Sequence, residues 1–98
     1  MPKKVIVTEK AQALILQVVT FWNEHNQSSA YSRKLLKAIR KQTEYISAFP
    51  FSFPVFFENE YRRAPILHHF SLIYKVSGDE IYIISFWDNR RNPDDWKL

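Results

Sequence analysis

The residues best suited to chemistry in this 98-residue chain are Arg62, Arg63, His68, His69, Lys75, Arg90 and Arg91, all within 61–91. Guanidinium forks bind phosphates or carboxylates through two parallel hydrogen bonds, and a lysine adds a compact charge beside them. On an extended strand, neighbouring side chains point to opposite faces, so at most one of Arg62 and Arg63 joins any given site. The same alternation keeps His68 and His69 from jointly clamping one ion. The alternative role for the arginines is pairing with Glu58, Glu60, Asp94 or Asp95, an arrangement that contributes little at a surface.

Other chemistries are excluded more firmly. A phosphate-cradling loop cannot be built with a single glycine, and His25, His68 and His69 lack the spacing of a metal motif, so neither a metal nor another cofactor is expected. The absence of cysteine removes disulfides and thiolate sites and suits a reducing, cytoplasmic compartment. No apolar run is long enough to span a bilayer, and Met1-Pro2-Lys3-Lys4 leads into a strand-like Val5-Ile6-Val7, not a signal-peptide core. The length fits one domain over residues 1–98. Its net charge of +4 favours acidic partners, nucleic acid or protein.

Several elements must position these residues. Thr8 offers a hydroxyl to cap a helix that Glu9 favours electrostatically, and Ala11, Leu14, Ile15, Val18, Val19, Phe21 and Trp22 form its apolar stripe. A polar turn with Ser28 and Ser29 as candidate caps precedes a second helix, antiparallel to the first. Tyr31, Leu35, Ala38, Ile39, Gln42, Tyr45 and Ile46 lie on its inner side, with Arg33, Lys37, Arg40, Lys41 and Glu44 on a solvated outer side. Pro50 and Pro54 end that helix in an aromatic linker, Phe49 to Phe57, expected to plug one end of the core. Tyr61 to Leu67 reads as a strand that Pro65 assigns to an edge or bulge.

Gly78 in Val76-Ser77-Gly78-Asp79-Glu80-Ile81 predicts a two-residue hairpin turn with a positive φ at its first central position. Strict alternation from that turn places Phe70, Leu72, Tyr74, Val76, Ile81, Ile83 and Trp87 toward the helices. It places Ser71, Ile73, Lys75, Tyr82, Ile84 and Phe86 on the opposite, functional face, with His69 across from Asp88. A carboxylate there would favour the imidazolium, as a proton donor or as a bridge between strands.

The order of these pieces resembles the RelE/ParE toxin superfamily of type II toxin–antitoxin and plasmid-stabilisation systems, over nearly the whole chain. The matching features are Ile46-Ser47-Ala48-Phe49-Pro50 ending a helix, Tyr61-Arg62-Arg63 opening a strand, the hairpin around Gly78-Asp79, and Arg90-Arg91-Asn92-Pro93 at the end. The resemblance implies an α+β fold of order β-α-α-β-β-β, with two antiparallel N-terminal helices packed on a twisted antiparallel sheet. It also implies a prokaryotic, growth-inhibiting protein in a hetero-oligomer with a cognate antitoxin.

The superfamily divides by mechanism. RelE-like members cut messenger RNA on the ribosome without a metal, which requires cations on the phosphate and groups that donate and accept protons. Arg63, His69, Lys75 and Arg91 would supply that set here. ParE-like members instead act on DNA gyrase. Ser71 stands where RelE-like nucleases usually carry an arginine, and Asn89 and Arg90 stand where related nucleases carry a histidine and a tyrosine. These departures favour the ParE-like branch and a non-enzymatic toxin. On that reading Arg62, Arg63, Lys75, Tyr82, Arg90 and Arg91 are candidates for contacting the target or a phosphate, and Trp22, Phe53, Phe56, Trp87 and Trp96 for contacting the antitoxin. A third reading is a non-toxic binding module whose basic surface and aromatics hold an acidic protein or single-stranded nucleic acid.

Overall fold

The structure, a computed structural model, describes residues 2–26, 29–58 and 60–91, and only the backbone of Phe56 and Phe57. Its elements are strand β1 (Lys4–Val7), helices α1 (Glu9–Asn26) and α2 (Ala30–Ala48), and strands β2 (Val55–Phe57), β3 (Tyr61–Ile66), β4 (Phe70–Ser77) and β5 (Glu80–Asp88). They form a five-stranded sheet of order β1-β5-β4-β3-β2. This is the α+β fold class expected, with two refinements. β1 lies parallel to β5, so the otherwise antiparallel sheet is mixed. Val55–Phe57, expected as linker, forms a short edge strand: the prolines lie outside it, and only three residues extend before the turn at Glu58.

Thr8 starts α1 as its hydroxyl predicts. Its Oγ1 accepts from the Ala11 N–H at 3.3 Å and donates to the Ile83 carbonyl at 2.9 Å, so one side chain caps the helix and fastens it to β5. Ser29 does not cap α2; its hydroxyl accepts from the Arg33 guanidinium instead. The two helices are tied by Ser32, whose buried hydroxyl lies 2.6 Å from Asn23 Oδ1 and 3.3 Å from the Val19 carbonyl.

Both helices back one face of the sheet. Ala11, Leu35, Ile46, Ala64, Ile66, Phe70, Leu72, Tyr74, Ile81, Ile83 and Phe86 form the core, where each large apolar side chain contributes about 1.5–3 kcal/mol by burial. Phe21 and Tyr45 depart from the expected stripes and are exposed, because they fall at the margins of helices whose central residues already fill the contact. The linker aromatics divide similarly. Phe53 packs on the core as a plug, whereas Phe49 and Phe51 are exposed at 57% and 63%.

The hairpin turns as predicted, with Gly78 at φ +57° and no positive φ at Asp79. Ser77, Val76, Lys75 and Tyr74 pair with Glu80, Ile81, Tyr82 and Ile83 as alternation requires. A bulge then shifts the register by one residue, giving Ile73 opposite Ser85, Leu72 opposite Phe86, Ser71 opposite Trp87 and Phe70 opposite Asp88. The expectation that Trp87 faces the helices and Phe86 the functional side is therefore corrected. Without the bulge the Ser85 hydroxyl would enter the apolar layer and Phe86 would leave it. With it, Phe86 stacks on Phe70 at 5.0 Å between ring centres.

Pro65 occupies the edge setting expected of it. β2 pairs only with the Tyr61–Arg62 end of β3, so Pro65 has only β4 as a neighbouring strand, while its carbonyl accepts from Gln42 Nε2 at 2.7 Å.

Candidate functional site

The face turned away from the helices is assembled from β3, β4 and β5. Register places Tyr61, Arg63 and Pro65 beside Lys75, Ile73 and Ser71, with Tyr82, Ser85 and Trp87 on the far side. Its centre is a small apolar cluster of buried Ile73 and Trp87 flanked by half-buried Tyr61 and Ile84. The face expected to be functional is thus a second packed layer with charges at its borders.

At one border, Lys75 Nζ lies 2.7 Å from Glu60 Oε1 and 5.9 Å from the centre of the Tyr61 ring. The Glu60 hydrogen bond and charge push the Lys75 ammonium above its ordinary range. Tyr82 donates to Glu80 Oε1 at 3.0 Å, and that bond likewise raises the phenol. Both groups are therefore held in their protonated forms and are poorly suited to removing a proton at neutral pH.

At the other border, Arg91 stacks over the Trp87 ring at 5.0 Å. Between the borders, a shallow cavity is lined by Phe53, Pro54, Arg63, Pro65, Ser71 and Asn89. Ser71 is 2% exposed, and its hydroxyl donates to Asn89 Oδ1 at 2.8 Å.

Arg62 and Arg63 point to opposite faces as alternation predicts, and only Arg63 joins this cavity. Arg62 turns to the helix side, where its guanidinium donates to the carbonyl of Phe53 at 2.7 Å and sits 5.2 Å from the Phe51 ring centre. Arg90 is also on the helix side. Its Nε and terminal amine donate to the two Asp88 oxygens at 2.9 and 2.8 Å, beside a cavity lined by Phe21, Trp22 and Phe70. That bidentate bond lowers Asp88 below its ordinary range and raises Arg90.

The expected pairing of His69 with Asp88 is not formed. His69 lies in the turn after Ile66, exposed, with its carbonyl accepting from the Asn89 N–H at 2.7 Å, while Arg90 holds Asp88. The bulge is the reason, since it moves Asp88 opposite Phe70. Of the nuclease candidates, Arg63, Lys75 and Arg91 share the face and His69 stands apart from them in its turn. Among the described residues no three histidine or carboxylate groups gather as a metal site requires.

Of the candidate antitoxin contacts, Trp22 is half-buried against Tyr31, with ring centres 5.0 Å apart, Phe53 is half-buried, and Trp87 is buried. The side chain of Phe56 and all of Trp96 lie outside the described residues. Sequence reasoning missed Asn89 as a partner for Ser71, and the exposed Leu16 of α1, whose apolar character outside the stripe was the available signal.

No protein-family model matches the sequence, and no curated protein matches it. Among solved structures, the chain is similar to the chromosomal ParDE TA (toxin–antitoxin) system from P. aeruginosa, at 18% identity and a TM-score of 0.74. The match covers 88% of this chain and 95% of that one. At that identity the likeness is one of architecture: this chain has the RelE/ParE-like fold.

Proposed function

We propose that this chain is the toxin of a type II toxin–antitoxin pair, acting by inhibiting a cellular target such as DNA gyrase and not by cutting RNA. The observation that carries this reading is the shared fold with the ParDE structure over 88% of the chain. The choice against RNA cleavage is supported by the same face in detail. Ser71 and Asn89 satisfy each other where a nuclease of this fold would hold its cation and its histidine. Lys75 and Tyr82 are biased toward their protonated forms by Glu60 and Glu80, so the two groups proposed from the sequence are proton donors, and the carboxylates beside them are engaged by them.

The partner is a cognate antitoxin in the cytoplasm, covering the apolar surface left by Leu16 and Phe21 on α1 and by Phe49 and Phe51 after α2. Arg63, Lys75 and Arg91 lie at the borders of the outer sheet face and are the cations proposed to meet a target, Lys75 through exchange of its Glu60 partner, whereas Arg62 and Arg90 lie on the helix side. Inducing the gene with and without its neighbouring short reading frame tests this reading. Growth arrest alone, relieved by the neighbour, is expected; unimpaired growth on induction of the folded chain would reject it.

A further inference from the structure

Helix α2 carries the protein's charge asymmetry. It holds Arg33, Lys34, Lys37, Arg40 and Lys41 against one acid, Glu44, whereas the remaining residues contain nine cations and nine acids. The whole net charge of +4 thus resides on one helix. All five cations are exposed, and among the described residues none is paired with a carboxylate. Arg33 closes the first turn of the helix and Lys34 follows it, near the positive end of the dipole where a cation is unfavourable, and the first turn contains no acid. Helix stability does not account for that placement; a strong local positive potential is its consequence.

We propose that this outer face of α2 binds the phosphate backbone of duplex DNA. Arg33, Lys37 and Arg40 fall on one line spanning about 10 Å, with Lys34 and Lys41 beside it. An acidic protein partner is the weaker fit. The centre of a protein interface is depleted in charge, and here a single leucine, Leu36, exposed at 46%, sits in a depression walled by Arg33, Lys37 and Arg40. Duplex RNA fits less well, because a helix lying along the wide major groove of B-DNA sets its cations against the flanking phosphates, whereas the deep, narrow major groove of RNA does not admit it. Such binding is independent of sequence and of whether the chain inhibits gyrase.

Fluorescence anisotropy of a labelled random-sequence duplex with the intact protein tests it. Binding is expected at low salt, with log K falling against log salt at a slope of about −3 to −4.5 for three to five phosphates neutralised. The R33Q/K37Q/R40Q variant, with its helix content confirmed by circular dichroism, should bind at least ten-fold more weakly with a slope reduced by about 2 to 3. K4Q/K10Q should bind like the unmodified protein. No binding of the unmodified protein at low salt, an undiminished triple variant, or tighter binding of single-stranded RNA or poly-glutamate than of the duplex would each overturn the proposal.

Discussion

The Ser71 hydroxyl donates to Asn89 Oδ1 across 2.8 Å, joining the ends of β4 and β5 on the face turned away from the helices. The resemblance drawn from the sequence implies a cation and a histidine at these positions in an RNA-cutting protein of this fold. Here Ser71 and Asn89 form a neutral, mutually satisfied pair, and Ser71 is buried. A cation introduced at residue 71 would meet that buried setting and cost stability there.

Ser71→Ala should therefore destabilise the fold by about 1 kcal/mol, the typical net contribution of one hydrogen bond. Urea denaturation measures this, with an unchanged m-value marking a local effect. Growth inhibition should survive the substitution.

The hairpin tip makes a sharper backbone prediction. Gly78 has φ +57°, and no atom lies within 4 Å of the point a Cβ would occupy, so a side chain would meet strain and not collision. Gly78→Ala should cost about 1–2 kcal/mol, and Gly78→Asn clearly less, since asparagine tolerates the left-handed region. Thermal unfolding of the two variants would separate them.

Acid sensitivity should localise partly to Asp88. Its native carboxyl is lowered by the Arg90 hydrogen bonds, so its contribution is fully present above the ordinary value of 3.8 and is lost as pH falls through the lowered native value. Asp88→Asn should be less stable than the unmodified protein at neutral pH, by roughly 0.5–1 kcal/mol for a partly exposed pair. The two stability curves should converge below pH 3.8, which denaturant titrations across that range would show.

The segment after α2 is clamped from both sides. The buried Tyr74 hydroxyl donates to the Pro50 carbonyl at 2.7 Å, and Arg62 holds the Phe53 carbonyl. Tyr74→Phe should cost about 1 kcal/mol and speed proteolysis between Phe49 and Pro54, because the freed carbonyl loses its tether.

Local signals in the sequence located much of this fold. Thr8 caps its helix and Gly78 sets four hairpin pairs because each acts on neighbours only a few residues away. Alternation then fails at Ile84, where the chain inserts a residue that no periodic pattern marks. The parallel seat of β1 beside β5 depends on partners 76 residues distant, and Lys3, just before β1, donates from Nζ to the Gly78 carbonyl at 2.7 Å. At the site, the opposite facing of Arg62 and Arg63 was legible. That Arg62 would be held by the linker was not, because the carbonyl it meets comes from the linker's tertiary path. The Ser71–Asn89 bond, eighteen residues apart in sequence, emerges only from the shifted register.

His69 provides a separate functional test, since it is the proton-carrying group that RNA cleavage would most need. His69→Ala should leave growth inhibition unchanged, as its ring is exposed in the β3–β4 turn and apart from Lys75 and Arg63 in the register. Colony counts after induction would report it, and loss of toxicity in a stably folded variant would count for catalysis.

Inhibition without RNA cleavage is decided by recovering gyrase–DNA complexes and total messenger RNA from the same induced cells. Covalent gyrase–DNA complexes should accumulate while transcripts keep their full length. Shortened transcripts, with free gyrase and intact DNA, would mean that the chain cuts RNA and does not act on gyrase.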